Sequence, residues 1–336
     1  MRSLRHSVFG IIVAILVMAG VLVAAAGLWF RNAVYIDRSL PQRTTTVIIP
    51  RGSSFAHVTA LLTEHHVVAH PLAFRLLARF RRNESAVKAG EFRFEPHASS
   101  DAILRQLIEG GAQVAGWLTI PEGYTAHEIA NVLAGDRFGN ASAFERAFLT
   151  SSITIGGARS RSLEGYLFPD TYLVPLQTSP ASVAQILTEQ FRHELPSDAV
   201  SRARKLGYTI PQIVTIASLI EREAKSDDER ALMAGVYYNR LRRKIPLQVD
   251  ATIEYVFPSH KTVITNADLR IDSPYNTYRY AGLPPTPIAS PGRPSLVAAL
   301  NPEPSDFLYY VYKGNGHHAF AKTLSEHNAN VARYLK

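Results

Sequence analysis

The chain opens with a stretch that has no polar face at all. From Ser7 to Phe30 no side chain is ionisable, and from Val8 the residues are almost uniformly apolar. A helix of about 20 such residues spans a bilayer, because all its backbone polar groups bond within the segment. The pattern predicts a transmembrane helix over 8–30. Arg2 and Arg5 precede it, which favours a cytoplasmic N-terminus, and Trp29 suits the far interface. A cleaved signal peptide with Ala24-Ala25-Ala26 as its cleavage site is the rival. Its apolar region would be about 7–15 residues, shorter than the one here, so an uncleaved anchor is favoured. Either reading exports the rest of the chain.

Beyond the anchor the periodicity alternates between two and 3.6. Residues 31–45 read as a polar linker. The β-branched run Thr44–Ile49 predicts a strand, turned by Pro50-Arg51-Gly52. Ser53 or Ser54 then caps a helix carrying Phe55, Val58, Leu61 and Leu62. The design recurs: Ile120, Pro121, Gly123, Thr125, Ile129 and Leu133 repeat Ile49, Pro50, Gly52, Ser54, Val58 and Leu62 in register. Phe92–Pro96, then Ser99 or Ser100, Ile103, Leu104 and Leu107, make a third strand–turn–helix, ended by Gly110-Gly111. A boundary is expected near Gly110–Gly116. From 117 on, helices are predicted at 125–134, 141–149, 180–193, 197–205, 210–225, 227–243, 293–300 and 323–334. The clearest strand is 306–313. The fold class is α+β, with a helix-rich second part.

Composition narrows the chemistry. Hydrophobic residues are 46% of 336 and charged residues 19%, enough for a sizeable core. There is no cysteine, which excludes disulfides, a thiol nucleophile and a cysteine zinc site. The formal charge is +8. Its densest clusters, Arg75, Arg79, Arg81 and Arg82, then Arg240, Arg242, Arg243 and Lys244, accompany no nucleic-acid motif and read as solvated helix faces and helix ends.

Candidate chemistry centres on the helix over Ile210–Ala224. Ile213, Ile216, Ala217 and Ile220 form an apolar stripe, with Glu223 on one shoulder and Glu221 on the other, while Arg222 is expected to point away from the core. A carboxyl at the margin of an apolar face is partly desolvated and stays protonated to higher pH, as a general acid requires. Two surface glutamates paired with Arg222, Lys225 or Arg230 fit the same pattern. In Ser162–Tyr172, Glu164 and Tyr166 sit among aromatic residues, Gly and Pro, which suits either sugar stacking or a packed loop. Gln248, Asp250 and Thr252 alternate, so an extended segment would show all three on one face, as substrate ligands or as a solvated edge. The turn-rich runs Asp272–Tyr278, with Tyr275, Asn276 and Tyr278, and Gly282–Gly292 read as a groove wall for a polar polymer. His317-His318 lacks helical ligand spacing and supporting carboxylates, so it reads as a loop closure rather than a metal site. No phosphate loop, no Gly-x-Ser-x-Gly elbow and no His-Glu-x-x-His appears.

Taken together, LEGYLFPDTY at 163–172, ASLIEREA at 217–224, YYNRL at 237–241, LQVDATIEY at 247–255, DLRIDSPYNTY at 268–278, GLPPTPIASPG at 282–292 and the Gly-x-Gly-His-His-Ala-Phe segment at 314–320 resemble the YceG-like family. The resemblance implies a LysM-like α/β module over 46–112 and a catalytic domain over 113–336, behind a cytoplasmic 1–7, the anchor 8–30 and the linker 31–45. It implies cleavage of the bond between N-acetylmuramic acid and N-acetylglucosamine inside peptidoglycan strands by an inner-membrane protein facing the periplasm, trimming nascent strands. No cofactor, metal or nucleic acid is called for; peptidoglycan synthases are the expected protein partners. Glu223 takes the essential second place of the family's Glu-x-Glu, and Gln248, Asp250, Thr252, Tyr275, Asn276, Tyr278, Glu164 and Tyr166 are the expected substrate ligands. Ala251 stands where the family often has Pro, and Ala224 where Thr is frequent. A hydrolytic muramidase and a non-catalytic glycan-binding scaffold are the alternatives.

Overall fold

In the computed structural model the described residues are 2–110, 113–136, 138–257, 261 and 263–335, with side chains described from Ile12 on. The chain divides into two compact units, 1–117 with 173–176, and 118–172 with 177–336.

The first unit begins with α1 (Arg2–Arg31), which runs on into a π-turn at Asn32–Ile36. Residues Ile12–Ile36 are long and apolar enough to cross a membrane. Then follow β1 (Thr45–Ile49), α2 (Phe55–Glu64), α3 (Pro71–Phe80), β2 (Gly90–Phe94), α4 (Ser100–Glu109) and β3 (Gln113–Thr119). β1 and β2 pair antiparallel with Thr45 opposite Phe94. β3 pairs antiparallel with β2, and a later strand, Thr171–Pro175, completes the order β1-β2-β3-β6. The predicted caps are in place: the hydroxyls of Ser54 and Ser99 accept from His57 N and Ala102 N. Gly110 adopts φ +79 to close α4, as a left-handed C-cap requires; its neighbour Gly111 lies outside the described residues. The core joins Val47, Ile49, Val58, Leu62, Phe74, Phe92, Phe94, Leu104 and Leu107. α3 is not among the predicted helices, although its arginines read as a solvated helix face and Ala73, Phe74, Leu77 and Ala78 form a regular buried stripe.

The second unit is helical. α5 (Ala126–Gly135), α6 (Ala141–Thr150), a short hairpin of β4 (Thr154–Ile155) and β5 (Ala158–Arg159), then α7 (Pro180–Glu194) and α8 (Ala199–Leu206) lead to α9 (Ile210–Glu223). After it come α10 (Arg230–Arg242), α11 (Asp250–Glu254), α12 (Arg293–Leu300), the antiparallel hairpin β7 (Tyr309–Gly314) and β8 (His317–Ala321), and α13 (Leu324–Tyr334). The predicted helices match to within a few residues. α10 starts late because Asp227–Glu229 forms a 3-10 turn. α9 is the axis of the unit. Every residue from Ile213 to Ile220 is buried, so the helix is packed all round rather than along one stripe.

Two expectations fail here. The run 287–292 is buried core, not an exposed wall. Its backbone polar groups are satisfied internally: Ile288 N donates to Ser218 Oγ (3.1 Å), Ser290 N to Tyr124 O (2.8 Å), and Gly292 N to Glu221 Oε2 (2.9 Å). Second, His317-His318 is not a loop closure but strand β8.

Candidate active site

Glu223 is the last residue of α9, and Ala224 turns the chain out with φ −65 and ψ 128. The side chain sits where the buried axis meets the surface, and the residue is half-buried. Tyr310 on β7 donates its hydroxyl to Glu223 Oε2 (3.2 Å), and Tyr237 on α10 lies 3.0 Å from the Tyr310 oxygen. With Tyr310 donating to the carboxylate, Tyr237 donates to Tyr310. Both tyrosines are buried enough that their pKa lies well above 10, so they stay donors. The Glu223 pKa is raised. Burial is the largest cause and the charge of Asp250 the next; the Tyr310 hydroxyl, the Ala251 N–H and Lys225 pull it back.

Asp250 opens α11. Its carboxylate accepts the Tyr278 hydroxyl, and it is exposed. The loop before it is held by Arg240, whose guanidinium donates to the carbonyls of Leu308 (2.6 Å), Pro246 (2.8 Å) and Leu247 (3.0 Å), and to Gln248 Oε1 (3.1 Å). Gln248 takes φ +53, a conformation a non-glycine residue holds only where its surroundings fix it. The extended face expected for Gln248, Asp250 and Thr252 is therefore absent: Asp250 and Thr252 belong to a helix, and Thr252 turns inward. It is fully buried, donating to Val249 O (2.7 Å) and meeting Thr277 (2.9 Å). Asn276 is fully buried too. Its amide bonds the carbonyls of Leu269 and Ile271, and its oxygen accepts Tyr278 N (2.9 Å). These two build the wall; neither presents an atom to a ligand.

The two glutamates of α9 have different surroundings. Glu221 pairs with Arg230 (3.3 Å) and accepts Gly292 N. Arg230 is itself buried, with bonds to Asp227 (2.8 Å) and Ser295 (2.5 Å). A Cβ on Gly292 would lie 1.9 Å from Glu122 Oε1, so a larger residue there would have to displace the Glu122 carboxylate. Glu221 is thus a structural anion. Arg222 does not project freely: it bonds Gly123 O (3.2 Å) and Glu254 (2.8 Å).

A cavity of about 680 Å³ adjoins the site, with Arg222, Ala251, Glu254 and Tyr255 on one side and Glu164, Thr125 and His127 on another. That volume suits one or two sugar rings. Glu223 is not itself a lining residue; its neighbours Arg222 and Ala251 are. Glu164, 2% exposed, accepts Ala126 N (3.0 Å) and the Tyr255 hydroxyl (3.1 Å), and burial pushes its pKa to about 7. The Tyr275 ring is tilted against that of Tyr255, with centroids 4.9 Å apart, and its hydroxyl meets Thr286 (2.8 Å). Tyr166 is buried against Phe191, away from this cavity, and its hydroxyl has no partner among the described residues. Gly165 beside it takes φ +83, and a Cβ there would lie 2.4 Å from Pro287. His317 and His318 both meet Glu229, at 3.3 and 2.9 Å, which pins β8 to the start of α10. Among the described residues no three potential metal-ligand side chains converge.

The structure thus gathers Glu223, Asp250, Tyr278 and Gln248 in one place, and Glu164 on the wall of the adjoining cavity, with Tyr275 packed against the lining residue Tyr255. Sequence reasoning missed Tyr310, Tyr237 and Arg240. The block at 237–241 contained two of them, but nothing in it signalled which atoms they would meet.

Comparison with known proteins completes the picture. The model of the YceG-like family matches residues 47–333. The chain is 33% identical over 309 residues to the endolytic murein transglycosylase of Bacillus subtilis, covering 87% of this chain and 85% of the relative. It is 33% identical over 350 residues to that of Streptococcus pneumoniae serotype 2, covering 93% of this chain and 63% of the longer relative. The crystal structure of a YceG-like protein from Listeria monocytogenes superposes with a TM-score of 0.60 and 31% identity, covering 86% of this chain and 99% of that one.

Proposed function

This chain belongs to the YceG-like family, and on that premise we propose that it is an endolytic lytic transglycosylase. Its substrate is the β-1,4 bond between N-acetylmuramic acid and N-acetylglucosamine within peptidoglycan strands. The observation that carries the reading is a desolvated carboxyl, Glu223, held by the Tyr310 hydroxyl at the end of the buried helix α9.

Two-carboxylate glycosidases activate a water or form a glycosyl-enzyme. One carboxyl suffices when the nucleophile is already attached to the sugar. Protonated Glu223 donates its proton to the glycosidic oxygen, and the bond from that oxygen to the anomeric carbon of muramic acid breaks. The departing strand keeps the proton as a hydroxyl. The carboxylate left behind takes the proton of the 6-hydroxyl on the same muramic acid, whose oxygen closes on the anomeric carbon. Glu223 is protonated again, and the product is a 1,6-anhydro ring. Tethering the nucleophile removes the entropy of recruiting a second reactant. Asp250, facing the same site, stabilises the positive charge that develops on the sugar ring and, by its own charge, keeps Glu223 protonated. Tyr278 fixes Asp250, and Gln248 with Tyr275 positions the strand.

α1 serves as a single-pass anchor, with the two units on the periplasmic side of the inner membrane. That position places the site beside newly made strands and the synthases that extend them, and fits a role in limiting strand length. Digestion of intact sacculi followed by mass spectrometry tests the reading. Anhydro ends, one water lighter than reducing ends, support it. Reducing ends identify a hydrolytic muramidase, and binding without cleavage identifies a scaffold.

A further inference from the structure

The arginine-rich helix α3 takes no part in the site, yet its place in the first unit is specific. At its N-cap the His70 ring meets Trp29 edge-on at 6.3 Å, and at its other end Phe80 meets Phe30 edge-on at 5.9 Å. A ten-residue helix is about 15 Å long, and its two ends touch consecutive residues of α1. It therefore lies across the end of α1 rather than along it. Ala73, Phe74, Leu77 and Ala78 form its buried stripe. Leu72, Arg75, Leu76, Arg79 and Phe80 recur at helical spacing on the opposite side, with Leu72 62% and Phe80 75% exposed. Arg81 pairs with Asp101, and Arg82 is exposed. No acidic residue occurs between Pro71 and Asn83.

We infer that α3 is an interfacial helix, seated in the headgroup layer of an anionic bilayer, the membrane that α1 crosses. The inference rests on the reading of α1 as the membrane anchor. A face that combines large apolar side chains with arginines sinks its carbon stems among the acyl chains and its guanidinium groups among phosphates. A helix lying across the exit of a spanning segment is already at that depth, and Tyr35 and Ile36, both exposed, extend the apolar surface beside it. Acidic cell-wall polymer would engage the arginines but leave Phe80 and Leu72 in water, so the apolar half of the face favours lipid. α3 would thus fix the orientation of the first unit on the membrane, with anionic phospholipid as the ligand.

The chain has no native cysteine, so single labels are placed directly. Full-length Phe80→Cys and Val17→Cys proteins, each carrying an environment-sensitive fluorophore, are reconstituted into phosphatidylcholine bilayers with or without phosphatidylglycerol, using brominated acyl chains as quenchers. Leu72→Cys repeats the reading at the other end of α3, should the loss of Phe80 loosen its contact with Phe30. Both sites are expected to be quenched, the α3 label more strongly in the anionic bilayer. That increment is expected to fall as salt rises and to vanish when Arg75, Arg79 and Arg82 are all changed to Glu. A quenched label at 17 with solvent-like labels at 80 and 72 in both bilayers overturns the inference and leaves the anchor intact. No quenching at 17 overturns both. Protection at 80 and 72 that arises only on adding sacculi assigns the face to wall polymer and overturns it as well.

Discussion

Replacing Tyr310 by Phe removes one hydroxyl and leaves the ring, so the packing against His318 and Tyr237 is retained. What is lost is the 3.2 Å bond to Glu223 and, behind it, the partner of the Tyr237 hydroxyl. A hydrogen bond to a charged acceptor contributes about 1.5–3 kcal/mol, and a bond of this length belongs near the lower figure. The loss falls on the carboxylate, since Tyr310 donates to the charged form and burial already disfavours that form. Two effects follow with the same sign. The carboxyl stays protonated to higher pH, so the alkaline limb of kcat against pH moves upward. The step in which the carboxyl gives its proton to the glycosidic oxygen, and so becomes the carboxylate, is slowed about tenfold, the rate equivalent of 1.4 kcal/mol. The assay is release of anhydro-ended fragments from sacculi between pH 4 and 9, with thermal unfolding as a control for folding. A lower rate at every pH with an unmoved limb would reduce Tyr310 to scaffolding. An unchanged rate and limb would refute the bond itself.

Glu164→Gln tests the second buried carboxyl. Its folded pKa of about 7 lies above its ordinary 4.5, so its favourable contribution is complete below 4.5 and lost as pH rises through 7. The difference corresponds to about 3 kcal/mol, and thermal melts should show the variant losing less stability than the native protein across that window. Glu221→Ala leaves the buried Arg230 charge without its partner on α9 and should cost about 3 kcal/mol of stability; a melting temperature within a degree or two of native would show the pair to be ornamental. Ala251→Pro removes the backbone N–H that helps hold the Glu223 carboxylate. Since proline is tolerated in a first helical turn, the fold should persist while the alkaline limb moves upward, and an unmoved limb would count against that contact.

Where the sequence carried period and caps, it carried the fold. α5, α6, α7 and α12 are each set by a cap or proline at the start and by apolar residues at 3.6 spacing, and the register of Ile49–Leu62 with Ile120–Leu133 reappears as two capped helices after glycine turns of φ +74 and +78. Local pattern misled where long-range bonds decide. Alternation at Gln248, Asp250 and Thr252 mimics a strand, but Arg240 and Thr277 hold the backbone in a turn followed by a helix. The 287–292 run read as a turn-rich wall rather than core because its partners, Ser218, Tyr124 and Glu221, are remote in sequence. The apolar helix alone left Glu221 and Glu223 open as surface glutamates; the resemblance of ASLIEREA to the family's Glu-x-Glu singled out Glu223. Tyr310 was not legible, because it and Glu223 lie 87 residues apart and meet only through the packing of a hairpin beside α9.

The central claim is that one half-dry carboxyl performs both proton transfers, and Glu223→Gln tests it most directly. The carboxamide keeps the size of the side chain and can neither give nor take the proton. Native protein and variant are incubated with intact sacculi and the fragments are weighed. The account predicts 1,6-anhydro ends from the native protein and none from a variant that melts at the native temperature. Anhydro fragments released by the variant at a rate near the native one would contradict it.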